Sequence, residues 1–185
     1  MSSIYEPAED SYLLSEILKK DIPQLIKKNS ELKFLEIGVG SSIQLETALK
    51  SGVKKENIFG IDINQNAVKH CINLGFQCFE SDLFKNFTEN KRFDLIIFNP
   101  PYLPSDEREP ENSMRETTGG RKGNEVAIEF LKQSKPFLSE NGKIFLITSS
   151  LAEDIDFKNF GFESKKLRNR KLFFEELVVW ELGII

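Results

Sequence analysis

The sequence predicts an α/β fold of the Rossmann type, a mostly parallel sheet wrapped by helices and finished by an antiparallel hairpin. Three observations predict it. Short apolar segments and helix-spaced segments alternate about five times along the 185 residues, the pattern of consecutive βαβ units. The tail departs from that rhythm: two strand-like segments follow one another across a short polar connection, which only antiparallel strands can use. Finally, 39% of the residues are apolar and there is no repeat, low-complexity tract or obvious linker, so residues 1–185 are expected to share one core.

Each element has its own local reason. Pro7 to Lys20 is predicted as a helix, since Leu13, Leu14, Ile17 and Leu18 recur at helical spacing. Glu9 and Asp10 lie in its first turn, where the macrodipole favours acids. Pro23 to Lys28 reads as a separate short helix, and residues 1–30 together as an N-terminal helical segment packed on the sheet. Lys33 to Gly38 is a strand running into a glycine turn, and Ile43 to Ser51 a helix. Asn57 to Ile61 is a strand, Gln65 to Leu74 a helix, and Phe76 to Glu80 a strand. Phe93 to Phe98 is the most apolar strand, followed by a long loop. Glu125 to Phe137 is an amphipathic helix and Lys143 to Thr148 a strand. Phe162 to Leu167 and Phe173 to Leu182 form the hairpin, with Arg168-Asn169-Arg170-Lys171 as its turn.

Composition excludes several functions. No run of 18 apolar residues exists, so no membrane span is expected. The opening residues show no basic stretch followed by an apolar one, and a cytoplasmic protein is expected. One histidine and two cysteines cannot build a tetrahedral zinc site, and Cys71 and Cys78 read as buried free thiols. A formal charge of −4 argues against gripping long nucleic acid by its phosphates.

Two sets of residues carry chemistry. Leu35-Glu36-Ile37-Gly38-Val39-Gly40-Ser41-Ser42 follows the first strand, where Gly38 and Gly40 permit a tight turn and close approach to a ligand. Asp62, before Ile63, lies 22 residues after Gly40 at the next strand end and suits the hydroxyls of a ribose. Asp82 follows the third strand. A third glycine of the dinucleotide pattern is missing, and Glu36 would repel a pyrophosphate, so a nucleoside bearing an amino acid or a cation is favoured. The second set is Asn99-Pro100-Pro101-Tyr102, after the fourth strand. Two prolines stiffen the turn. The Asn99 side-chain oxygen and the Pro100 carbonyl become two fixed acceptors for the hydrogens of an –NH2 group, with the Tyr102 ring on its flat face. Such a clamp aims a planar nitrogen at an electrophilic methyl by positioning alone.

These motifs resemble the HemK/PrmC-type protein-glutamine N5-methyltransferases, and most closely their small archaeal and eukaryotic branch. Tyr5-Glu6-Pro7-Ala8-Glu9-Asp10-Ser11 is similar to that branch's N-terminal signature, and Gly119-Gly120-Arg121-Lys122-Gly123 to its glycine segment after the Asn-Pro-Pro-Tyr turn. The resemblance implies a class I S-adenosylmethionine-dependent methyltransferase with a mostly parallel seven-stranded sheet. It implies cofactor contacts from Ser11, Glu36, Gly38, Gly40, Asp62, Ile63, Asp82, Leu83 and Asn99, and a catalytic clamp of Asn99, Pro100 and Tyr102. The implied substrate is the glutamine of Gly-Gly-Gln in a class 1 translation release factor. The implied partner is a small zinc-binding activator beside Phe76 to Glu80, with Phe76, Phe79 and Phe84 as candidate anchors. Ser42 departs from the family, which carries glycine there. If that position needs a positive φ, serine would cost something. Leu103 to Gly123 is a long charged loop, read either as a solvated excursion or as a flap that orders when a substrate protein docks, using Arg108, Arg115, Glu116 and Arg121. The rival substrates for the same clamp are an exocyclic amine of adenine or guanine and a protein lysine; a non-catalytic cofactor-binding module is the remaining alternative.

Overall fold

The computed structural model describes residues 4–87, 91–106 and 117–185. A seven-stranded sheet has the order β3-β2-β1-β4-β7-β9-β8. Its strands are β1 (Phe34–Ile37), β2 (Ile58–Asp62), β3 (Gln77–Glu80), β4 (Phe93–Phe98), β7 (Leu138–Ser149), β8 (Phe162–Lys171) and β9 (Glu176–Ile184). The first five run parallel, while β9 is antiparallel to both β7 and β8. Among the described residues, helices α1 (Glu9–Lys28), α2 (Ile43–Lys50), α3 (Gln65–Asn73) and α4 (Glu125–Ser134) pack on the sheet.

The central strands are buried on both faces, so successive side chains feed two cores. Phe34, Leu95, Ile97, Phe145 and Ile147 pack with the apolar faces of α1, α2 and α3. Leu35, Ile96, Phe98, Ile144 and Leu146 pack with Ala127, Phe130 and Leu131 of α4. This is why β4 reads as a nearly continuous apolar run, broken only by Asp94, rather than an alternating one. No helix among the described residues is long and apolar enough to cross a membrane.

Several expectations are corrected. The first two helices are one: α1 continues through Pro23 to Lys28, because Ile22 is fully buried in the same core as Leu13, Leu14 and Leu18. The hairpin turns four residues later than expected, at Leu172 to Glu175. The basic residues read as the turn belong to β8, where Arg170 bonds Glu9 and Glu16 of α1 at 2.8 Å each. The loop after the Asn-Pro-Pro-Tyr turn holds two short parallel strands, β5 (Leu103–Pro104) and β6 (Thr118–Gly120). Arg108, Arg115 and Glu116 of the expected flap lie outside the described residues, and Arg121 is exposed. Cys71 and Cys78, read as free thiols, lie side by side in the core with their Cα atoms 6.2 Å apart. The turn at Leu74-Gly75 folds β3 back along α3 and sets the two residues face to face.

Candidate active site

Parallel pairing sets the strand ends level. Ile37 of β1 is in register with Ile61 of β2 and with Phe98 of β4, and Asp62 with Glu80 of β3. The residues that follow, Gly38, Ile63, Ser81 and Asn99, therefore emerge along one edge. The strand order reverses direction between β1 and β4, the place where open α/β sheets leave a crevice. A cavity of about 880 Å³ lies there, lined by Ser11, Glu36, Gly38, Gly40, Asp62, Ile63, Asp82, Leu83, Asn99, Pro100 and Tyr102. The residues expected to contact the cofactor or to form the clamp all line this one cavity.

The glycine turn is held by its neighbours. Gly38 (φ +72°) donates its N–H to the Ile61 carbonyl at 2.7 Å, and Gly40 (φ +43°) donates to Asp62 Oδ2 at 3.0 Å. Asp62 Oδ1 accepts from Asn64 N–H at 2.8 Å, so one carboxylate ties together the two turns that frame the cavity. Ser42 has φ +66°, the left-handed region, is fully buried, and its Oγ finds no hydrogen-bond partner. The position does require a positive φ, as its departure from glycine had raised.

Glu36 is 5% exposed and its Oε2 has no partner. Burial first, and the adjacent Asp62 second, push its carboxyl well above the usual carboxylate range. Asp82 is half-exposed and paired with Lys85 at 2.6 Å, and Ile63 is largely exposed. Phe76 and Phe84, expected as anchors for a partner, are core residues: Phe84 stacks on Phe137 with ring centroids 4.3 Å apart. Phe79 is partly buried.

The Asn-Pro-Pro-Tyr turn meets a residue that the sequence analysis had placed in the first helical turn and in the N-terminal signature, without a role at the site. Asp10, at the start of α1, is 3% exposed and turned inward. Its Oδ2 accepts from Asn99 Nδ2 at 2.9 Å, Tyr102 OH at 3.1 Å and Tyr5 OH at 3.1 Å. Its Oδ1 accepts from Ser11 N–H at 2.5 Å and Ser11 Oγ at 3.1 Å. Asn99 Oδ1 is buried without a partner. The Tyr102 phenol is pushed far above its ordinary value, by burial first and then by the Asp10 and Glu175 carboxylates. It remains neutral and cannot serve as a base. Helix α1 is fixed in place by a buried polar ladder to α2: Gln44 Nε2 donates to the Ser11 carbonyl at 2.8 Å, and Ser15 Oγ to Gln44 Oε1 at 2.9 Å.

A parallel sheet closed by a reversed hairpin, with its crevice edged by a glycine turn and ordered acids, is the architecture of the class I S-adenosylmethionine-dependent methyltransferases. Over residues 72–172 the chain matches the model of the Eco57I restriction-modification methylase family. A Methanocaldococcus jannaschii protein named as a protein N5-glutamine methyltransferase is 38% identical to it over 97% of this chain and 92% of its own length. The Schizosaccharomyces pombe eRF1 methyltransferase catalytic subunit mtq2 is 32% identical over 78% of this chain and 71% of its own. Among solved structures, a chain of the E. cuniculi Mtq2-Trm112 complex superposes with a TM-score of 0.68 at 22% identity, both chains covered in full. The protein belongs to that methylase family and, across almost its whole length, to the protein N5-glutamine methyltransferases.

Proposed function

We propose that this protein methylates the side-chain amide nitrogen of the glutamine in the Gly-Gly-Gln motif of a class 1 translation release factor. The observation that carries the reading is the unpartnered acceptor Asn99 Oδ1, buried at the rim of the cavity. A buried acceptor left alone costs about 1–3 kcal/mol, and an amide –NH2 supplies the missing donor. S-adenosylmethionine, when bound, supplies an electrophilic methyl. The donor set fits it. Asp62 accepts from the ribose hydroxyls, and Gly38 and Gly40 let the backbone approach. Glu36 Oε2, without a partner among the described residues, would take the amino-acid end, while Ser11, Ile63, Asp82 and Leu83 would complete the walls.

In this reading Asn99 Oδ1 and the Pro100 carbonyl each accept one amide hydrogen, and the Tyr102 ring covers the planar face. Both hydrogens held, the nitrogen presents its lone-pair face to the cofactor side. No base is recruited before transfer, in keeping with a neutral Tyr102; as the new N–CH3 bond replaces the S–CH3 bond, the surplus proton on the amide nitrogen is lost to solvent. The gain is orientation and preorganised electrostatics.

We further propose a heterodimer with a small zinc-binding activator. The S. pombe relative is named a catalytic subunit, and among the described residues β3, at its end of the sheet, pairs only with β2. With Phe76 and Phe84 in the core, the apolar contacts on that side would come from Phe79 and from the exposed Ile72 and Leu74.

The test is methyl transfer from labelled S-adenosylmethionine to a class 1 release factor, with and without the activator, the product located by mass spectrometry. Label on the Gly-Gly-Gln glutamine, lost in Asn99→Ala while cofactor binding persists, is the expected result. Transfer to adenine or lysine instead, or full activity in Asn99→Ala, would sink the reading.

A further inference from the structure

We infer that Asp10 is the positioning residue that sets the hydrogen-bonding polarity of the clamp, making it a site for –NH2 donors and closing it to carboxylates. The inference rests on reading Asn99 and Tyr102 as the clamp.

An asparagine amide has one accepting end and one donating end of nearly the same shape, and the protein must decide which end faces the ligand. A clamp that presented the Asn99 –NH2 would repel an incoming amide –NH2 and attract a carboxylate oxygen. Here the far side of Asn99 meets the Asp10 carboxylate, which when ionised can only accept. The donating end is drawn to it, at 2.9 Å, and the oxygen is forced to the other side, where it has no partner. Flipping the amide would bring oxygen to oxygen inside a site where Asp10 is 3% exposed, and low local dielectric magnifies that repulsion.

Tyr102 is treated in the same way. Its hydroxyl proton is spent on Asp10 at 3.1 Å, so the phenolic oxygen has only lone pairs left to offer. Ser11 supplies two further donors and Tyr5 one more. Every hydrogen bond drawn to Asp10 comes from a donor, and the two clamp residues are left as acceptors. Asp10 itself lines the cavity, and the positioning role inferred for it is exerted through its hydrogen bonds to Asn99 and Tyr102.

The first measurement follows the Asn99 side-chain amide by ¹⁵N–¹H NMR in the intact protein, its signal identified by loss in Asn99→Asp. The expected result is a downfield, slowly exchanging Nδ2 proton in the wild type, lost in Asp10→Asn. A freely exchanging Asn99 amide overturns the inference, whatever the substrate proves to be. The second is turnover on the release factor. Asp10→Asn should lower kcat by roughly 100-fold, the scale of one misdirected preorganised hydrogen bond, with S-adenosylmethionine affinity within about threefold. The Asp10→Asn/Asn99→Ala double variant should be no slower than Asn99→Ala alone. A release factor carrying glutamate for the target glutamine should become a better competitor against Asp10→Asn by about tenfold or more, a change that mere loss of structure would not produce. Collapse in Asn99→Ala with wild-type kcat in Asp10→Asn overturns the role of Asp10 alone. Wild-type turnover in both variants overturns the clamp reading and this inference together.

Discussion

Ser42 offers a quantitative test of the cofactor turn. A non-glycine residue in the left-handed region costs about 1 kcal/mol or somewhat more, and Ser42 sits there at φ +66°. Its hydroxyl, fully buried with no partner, adds about 1–3 kcal/mol. Ser42→Ala removes only the hydroxyl and should stabilise the protein by about 1 kcal/mol. Ser42→Gly also relieves φ. Against that gain stand about 0.4–1 kcal/mol of extra unfolded-state entropy and about 0.8 kcal/mol for the buried carbon. The glycine variant should therefore lie within about 0.8 kcal/mol of the alanine variant, which stands about 1 kcal/mol above the parent. Urea unfolding reads this as a higher midpoint at unchanged slope, and heating as a rise of about 2–4 °C. Destabilisation by Ser42→Ala of more than about 0.5 kcal/mol would mean that the hydroxyl is satisfied. A glycine variant about 1 kcal/mol below the alanine one would mean that the backbone there is not left-handed.

Two further outcomes are expected. The folded protein holds the Glu36 carboxyl protonated to higher pH than the unfolded chain does, because burial and Asp62 raise it. Stability of the cofactor-free protein should thus fall as pH rises from about 4.5 through that raised value, and Glu36→Gln should abolish the slope. A cationic ligand reverses the preference, so S-adenosylmethionine binding should release a proton and tighten with pH across the same window. Calorimetry in buffers of different ionisation enthalpy measures that release, and equal heats in all buffers would refute it. Gly60→Ala in β2 would place a Cβ 2.4 Å from Val39 Cγ1 and 2.9 Å from Cys78 Sγ. It should cost about 1–3 kcal/mol and weaken cofactor binding through Val39; a neutral urea midpoint would show that the turn yields freely.

The sheet and the cavity were legible because parallel strands place consecutive strand ends on one edge. Reading Glu36, Asp62, Asp82 and Asn99 in order was enough to gather them without knowing a single distance. What escaped was set by contacts distant in sequence. Asp10 looked like an ordinary first-turn acid, and its partners Asn99 and Tyr102 lie 89 and 92 residues away. Arg170 looked like a turn residue because its carboxylate partners, 154 and 161 residues earlier, leave no local trace. Pro23 signalled a break that the burial of Ile22 overrides. Phe76 and Phe84 were indistinguishable from surface anchors, since apolar character alone does not say which neighbour covers it. Strands as short as β5 and β6 carry no period to detect.

The mooring of α1 has a bearing on how the molecule comes into being. A ribosome makes Asp10 well before Asn99 and Tyr102, which it bonds, and Glu9 and Glu16 well before Arg170, which pairs with both. The final seating of α1 therefore waits for β8 to be made. The clamp and the hairpin are thus joined through one helix, so a change in β8 can be felt at Asn99 without touching the cavity.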